Sequence, residues 1–160
     1  MNWDTSESVA GNARRLLPKL AQNYFKAGRK AAGSKRSPKA LHRFRIVTKR
    51  FRYALELFQP LYGPSLDRRL KAVRALQDVL GKISDHQTIL DLLGDDEELS
   101  GKIKRALKRK SGDFRKQWRT FDSDGQLKQW KTYLSHAPRA GRVRKSKIKS
   151  SAHQPDAPHA

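Results

Sequence analysis

Apolar residues recur along this chain at the three- and four-residue spacing of amphipathic helices, and the alternation typical of strands is scarce. The spacing predicts a first helix over about residues 13–32, which is either kinked at Pro18 or begins there. Ser37 followed by Pro38 is a helix start signal, a capping hydroxyl before a proline at the first helical position. This second helix should end within two residues before Pro60, which cannot continue it.

The apolar face resumes in a third helix that starts near Pro64 and continues to about Leu93. Gly81 weakens its middle, but we predict one long helix across that position. Four acidic residues at 95–98 precede a basic run, the order of charge that a helix dipole favours. The fourth helix that they open keeps an apolar face to about residue 121.

A short fifth helix is predicted after Ser123, which has the spacing of a capping box with Gln126. Beyond it the chain is rich in Pro, Ser and basic residues, a composition typical of disorder. The predicted fold is therefore all-α, an antiparallel helical bundle of about four or five helices over residues 13–135. A loose N-terminus over residues 1–12 and a disordered basic tail over residues 136–160 flank it.

Composition adds that the chain is small and strongly basic. Its 160 residues include 36 Lys and Arg against 15 Asp and Glu, a formal net charge of +21. The absence of cysteine excludes disulfide scaffolds and Cys-ligated zinc, and no run approaches the roughly 18 apolar residues of a membrane span. A cytoplasmic protein is expected. Its charge predicts a polyanionic partner: nucleic acid, an anionic membrane surface or an inorganic polyanion.

The positive charge is concentrated where residues 9–55 include more than a dozen Lys and Arg and no Asp or Glu. The helical period of the second helix separates its apolar face from an adjoining stripe, which also holds Tyr53 and Glu56. Four side chains of this stripe form a row, here called the basic row: His42, Arg45, Lys49 and Arg52. Such a row can follow a chain of phosphates, since Arg binds phosphate oxygens bidentately and Lys acts as a point charge.

His42 has two interpretations that stay open from the sequence. A histidine near a helix start is commonly a capping or packing residue. Beside two strong cations it can instead donate both ring N–H groups to a phosphate when it is protonated.

Three segments in order carry a resemblance to a known family. Residues 41–58, LHRFRIVTKRFRYALELF, resemble the signature helix of the CHAD domain, the conserved histidine α-helical domain. Residues 76–81, LQDVLG, with Asp85, resemble its next helix, and residues 114–121, FRKQWRTF, are similar to its closing helix. CHAD domains are helical bundles of two similar halves that bind inorganic polyphosphate through basic residues lining a groove or pore. The resemblance, over roughly residues 38–121, implies the same fold and ligand here.

The resemblance also implies the site, with one residue added from the neighbouring helix and one from the preceding turn. The implied polyphosphate-binding residues are His42, Arg45, Lys49, Arg52, Arg74 and Lys39. We interpret Asp78 and Asp85 as structural: they are expected to pair with the arginines and fix their direction, because a carboxylate repels an anion.

Only the C-terminal half of the family pattern is recognisable, since residues 1–36 are too few to hold the other half. Two explanations stay open. A homodimer would restore the two-half arrangement, with each copy taking the role of one repeat. The chain would otherwise be a fragment of a longer gene product.

The sequence predicts a binding protein rather than an enzyme, with no catalytic residue, cofactor or metal. Polyphosphate hydrolysis usually needs clustered carboxylates that hold metal ions, whereas the acids at 95–98 are explained by the helix dipole. Neither a Walker loop nor a His pair at metal-ligand spacing is present. By resemblance, association with polyphosphate granules in the cytoplasm is expected.

The alternative function is a basic helical protein that binds nucleic acid non-specifically. Four rings could stack on bases: Trp118, Trp130, Tyr24 and Tyr53. The basic tail would add attraction without defined contacts. Both tryptophans lie on apolar stripes, however, and are expected in the core. A role at a membrane surface ranks third, because the apolar faces are needed for the bundle.

Overall fold

Five helices account for most of the chain that the computed structural model describes, which is residues 3–34, 37–93 and 96–136. The helices are α1 (Val9–Gly33), α2 (Pro38–Tyr62), α3 (Pro64–Leu92), α4 (Glu97–Phe121) and α5 (Gln126–Ser135). These ranges contain no strand, so the predicted all-α bundle is confirmed. The predicted basic tail falls, from residue 137 onward, outside the described residues.

Each of the first four helices packs against its neighbour in the sequence, and α5 returns to pack against α1. Contacts between α1 and α4 close the bundle. Only Gly63 separates α2 from α3, and its φ of 67° lies in the left-handed region that favours glycine. Such a short connection makes the two helices antiparallel neighbours.

An aromatic cluster at the centre of the bundle joins α1, α2, α4 and α5. Tyr24 of α1 stacks on Phe51 of α2 with ring centroids 4.5 Å apart, and Phe44 of α2 lies 5.2 Å from the ring of Trp118. Such pairs each contribute roughly 0.5–1.5 kcal/mol beyond the area they bury. Trp118 and Trp130 are each 3% exposed, which confirms that both tryptophans belong to the core.

Trp118 reaches the backbone of α1 at Gly28, which is buried. A Cβ placed on Gly28 would lie 2.0 to 2.5 Å from three carbons of the six-membered ring of Trp118. Glycine in a helix interior costs about 1 kcal/mol relative to alanine. The close approach of the indole is therefore the reason for a glycine at this position.

The start of α1 differs from the prediction. The helix begins at Val9 and runs through Pro18, rather than starting near residue 13 or at the proline. Ser8 caps it, because its Oγ accepts the N–H of Gly11 at 3.0 Å. This cap satisfies an N–H donor of the first turn and so stabilises a helix start at Val9. Pro18 removes only one backbone hydrogen bond, and it does not determine where α1 begins.

The end of α2 also differs from the prediction, because the helix runs through Pro60 to Tyr62. The hydroxyl of Tyr62 donates to the carbonyl oxygen of Leu134 in α5 at 2.7 Å, and burial raises the pKa of Tyr62 to about 12. Phe58, one turn earlier, is buried in the core. Tertiary packing of this last turn outweighs the single backbone bond that the proline removes.

The later helices follow the predicted apolar faces more closely. The prediction that α3 continues across Gly81 is confirmed, and α4 likewise passes through Gly112. The predicted capping box before α5 is wrong, since its cap position is Gly125, with a φ of 78° and no side-chain hydrogen bond. The left-handed turn at this glycine takes the place of a hydroxyl cap.

Candidate anion-binding site

The basic row lies on the side of α2 that faces away from the aromatic cluster and toward α3. The core residues of α2 recur on one face, and the basic row follows the same period along the adjoining face. His42 is exposed, while Arg45, Lys49 and Arg52 are half-buried. At 1.5 Å per residue the row spans about 15 Å of the helix axis.

One carboxylate neutralises the C-terminal end of the basic row. Glu56 Oε1 lies 3.5 Å from Nη1 of Arg52 and 2.8 Å from Nη2 of Arg74, which also donates from Nε at 3.2 Å. Arg52 in addition lies over the ring of Tyr53 at 4.5 Å from its centroid. The structure thus brings Arg74 beside the basic row, as expected from the resemblance, but both arginines share Glu56.

The middle of the basic row opens on a small cleft between α2 and α3. Arg45 lines this cleft of about 350 Å³ together with Gln77, Asp78, Lys82 and Asp85. Asp78 and Asp85 form no ion pair in the described ranges, because no charged nitrogen of a Lys, Arg or His there lies within 4.0 Å of their carboxylate oxygens. The predicted direct pairing of these aspartates with arginines is therefore wrong, because Glu56 takes that role from the same helix as the row.

The N-terminal end of the basic row lies beside a larger cleft of about 720 Å³. Lys39, His42 and Arg43 line one wall, and Leu80 and Ile83 of α3 are among the apolar residues of the other. The capping role belongs to Ser37, whose Oγ accepts the N–H of Ala40, so His42 does not cap α2. Its exposed ring is available to a ligand at the mouth of this cleft.

An exposed apolar face flanks the basic row on its solvent side. Ile46, Tyr53 and Leu57 are 38%, 51% and 71% exposed, and they recur at helical spacing along α2. Sequence reasoning did not assign this face a role. Its signal was present, because these apolar positions lie opposite the core stripe of the same helix.

Two further properties bear on the chemistry of the site. Across the described residues, no group of three or more His, Cys, Asp and Glu side chains is placed to hold a metal ion. None of the helices in these ranges is both long enough and apolar enough to cross a membrane.

Comparison with known proteins gives one match. The family model of the CHAD domain matches residues 3–94, which covers α1, α2 and α3 and includes the whole basic row. The similarity of residues 114–121 to a closing helix lies outside the matched segment. No curated protein and no solved structure matches the chain. Since the matched segment is more than half of the 160 residues, the chain belongs to the CHAD domain family.

Proposed function

We propose that this protein binds inorganic polyphosphate through the basic row and does not catalyse its turnover. The observation that carries the proposal is the lack of internal counter-ions. Throughout residues 3–34, 37–93 and 96–136, no carboxylate lies within 4.0 Å of the charged groups of Lys39, His42, Arg45 or Lys49. Arg45 and Lys49 are half-buried, and half-buried cations without partners are costly unless a ligand supplies the negative charge. Membership of the CHAD family supports inorganic polyphosphate as that ligand.

A linear polyanion suits the basic row better than a single phosphate. The row extends over about 15 Å of helix, more than one phosphate group can contact at once. A polymer contacts several cations together, and each contact after the first forms at high effective concentration. The length of the row therefore favours a chain of phosphates.

We propose binding rather than catalysis because of what accompanies the cations. Magnesium-dependent phosphate chemistry relies on carboxylates that hold the ion between protein and substrate. Beside the basic row, Glu56 is occupied by two arginines, and Asp78 and Asp85 of the Arg45 cleft belong to no group of three or more potential metal ligands among the described residues. This arrangement supports retention of the polymer without hydrolysis.

Long-chain polyphosphate is expected to displace DNA from the protein when both are present at equal phosphate concentration. Salt dependence does not separate the two ligands, since counterion release weakens both. The burial of Trp118 and Trp130 removes two of the rings that would stack on bases. Fluorescence anisotropy of a labelled DNA oligonucleotide, titrated with polyphosphate or heparin at constant salt, measures the displacement. DNA that stays bound would favour the nucleic-acid alternative and contradict the proposal.

Glu56→Gln is expected to tighten polyphosphate binding by about threefold to tenfold. The substitution removes the negative charge beside the basic row and releases Arg52 and Arg74 to the ligand. Ion pairs this accessible contribute about 1 kcal/mol or less, so the fold should tolerate the change. Isothermal titration calorimetry with polyphosphate of defined length gives the dissociation constants.

Glu98→Gln is the matched control for this variant. Glu98 forms an exposed ion pair with Lys102 at the start of α4. Its replacement by Gln changes the net charge of the protein by the same amount as Glu56→Gln. We expect its affinity to stay near that of the unmodified protein. Equal tightening by both variants would show that net charge, rather than the basic row, governs binding.

Two further expectations follow the same function. The exposed face of Ile46, Tyr53 and Leu57 is the surface that we propose for the homodimer, because it runs beside the basic row and is apolar. Two copies meeting there would place their basic rows side by side along one polymer.

We also propose association with polyphosphate granules, which the same binding would produce.

A further inference from the structure

A second concave site lies on a different face of α3, between α3, α4 and α5. It is a cleft of about 630 Å³ whose walls include Arg68, Arg69, Gln117, Gln126 and Trp130. This volume is within the range of about 300–1,000 Å³ typical of small-ligand sites. The cleft shares no lining residue with the Arg45 cleft or with the cleft at the start of α2, so it is separate from the basic row.

Arg69 is held in a fixed direction at this cleft. Its guanidinium carbon lies 3.8 Å from the ring centroid of Tyr133 and 5.8 Å from that of Trp130. Its Nη1 donates to the carbonyl oxygen of Ser65 at 3.3 Å. The Tyr133 ring is itself held by a 2.8 Å hydrogen bond between its hydroxyl and Oγ of Ser65. A guanidinium that is already oriented loses little conformational freedom when a ligand binds.

The charge of Arg69 has no carboxylate partner within 4.0 Å in the part of the chain that the structure describes. Burial lowers the pKa of Arg69, yet a guanidinium stays protonated in proteins. Contact with aromatic rings offsets part of the lost hydration. The rings do not replace all of the lost hydration, so the guanidinium favours contact with an external anion, since partly buried charges are normally paired.

The other polar groups of the cleft also suit an anion. Its lining adds Arg68, the amides of Gln117 and Gln126 and the hydroxyl of Thr120, and it includes no Asp or Glu. Two acids next to lining residues have partners elsewhere: Asp67 accepts from Gln59, and Asp122 pairs with Arg29 at 2.8 Å. Asp124, two residues before Gln126, is exposed and is not part of the lining. Gln126 is also the first residue of α5, whose cap makes no side-chain hydrogen bond. The partial positive charge of that helix end adds to the two arginines.

We propose that the cleft between α3, α4 and α5 binds a compact phosphoanion of one to three phosphate groups, with Arg69 as its central contact and Arg68 beside it. Inorganic triphosphate and the triphosphate of a nucleotide share this chemistry. Half of the lining comes from α4 and α5, beyond the segment that the family model matches. The proposal does not depend on polyphosphate binding at the basic row.

Titration of the full chain with inorganic triphosphate tests this site. Calorimetry at constant salt gives the affinity, and the indole N–H signal of Trp130 in a nitrogen–proton correlation spectrum reports where the anion lies. Trp130→Phe assigns that signal among the three tryptophans. We expect saturable binding that shifts the Trp130 signal, and we expect Arg69→Gln to weaken it about tenfold or more. Arg69→Lys should be intermediate, because it keeps the charge without the planar fork.

Controls separate this site from general charge and from the basic row. Arg50→Gln removes one exposed positive charge from α2 and should leave triphosphate affinity unchanged. Replacement of Arg45, Lys49 and Arg52 together should remove any triphosphate bound at the basic row and leave the shift of the Trp130 signal unchanged. If Arg69→Gln is poorly folded by circular dichroism, the exposed Arg68→Gln provides the test, with an expected loss of about threefold. Tighter binding of ATP than of triphosphate would support a nucleotide ligand in the same cleft, and equal binding an inorganic one. Equal losses in Arg50→Gln and Arg69→Gln, or a Trp130 signal that does not move, would overturn the proposal.

Discussion

Gly28→Ala is expected to lower the free energy of unfolding by about 2 to 3 kcal/mol. The added methyl would lie 2.0 to 2.5 Å from three ring carbons of Trp118, which is rigid and enclosed by the aromatic cluster. Relief requires either movement of the indole or separation of α1 from α4, and both disturb the centre of the core. Urea unfolding followed by far-ultraviolet circular dichroism measures the change.

Replacement of Gly112 by Ala should change the free energy of unfolding in the opposite direction. Gly112 lies in the interior of α4, and a Cβ there would meet no atom within 4 Å. Gly112→Ala is therefore expected to raise the free energy of unfolding by about 1 kcal/mol, the difference in helix propensity.

A smaller ring should reduce the cost at position 28, so Gly28→Ala and Trp118→Phe together should be less destabilising than the sum of the two. Additive losses would show that the two residues do not meet.

Replacement of Arg45, Lys49 and Arg52 together by Gln is expected to weaken polyphosphate binding by roughly 100-fold or more while leaving the helical content unchanged. Each charge-assisted contact to phosphate contributes about 1.5–3 kcal/mol, and Arg52 contributes least because Glu56 already engages it. All three side chains lie outside the core. Anisotropy of labelled long-chain polyphosphate at fixed salt measures the affinity, and circular dichroism the helical content.

The matched control for this triple variant is on α4, where Arg105, Lys108 and Arg109 are exposed. Their joint replacement by Gln also removes two arginines and one lysine, so the net charge is the same in both proteins. We expect this control to weaken binding only several-fold, through the general electrostatic field. If both variants lost affinity equally, the ligand would be held by overall charge and not by the basic row.

The helix faces and the core could be predicted from the sequence because they depend on a local period. Trp118 and Trp130 recur at helical spacing with other apolar residues, and both are buried as expected. Helix boundaries were harder, because tertiary contacts override local propensity. Pro60 illustrates this: the packing of Tyr62 on α5 extends α2 beyond a residue that normally ends a helix.

The candidate site could be predicted only as far as α2 determines it. The positions of Arg45, Lys49 and Arg52 on one face follow from their spacing alone. The ion pair between Arg74 and Glu56 could not be predicted in this way, because the two residues are 18 positions apart and meet only when α3 packs against α2. The Arg69 cleft was missed for the same reason, since its aromatic residues, Phe121 and Trp130, come from α4 and α5.

The contact between Gly28 and Trp118 has a consequence for how sequences of this kind can diverge. Relatives that keep the large indole in α4 should be confined to glycine at the facing position of α1. A relative with a smaller residue in place of the indole would be released from that constraint, and alanine or serine could then appear on α1. Paired substitution at these two alignment columns would be the evolutionary trace of a single steric contact.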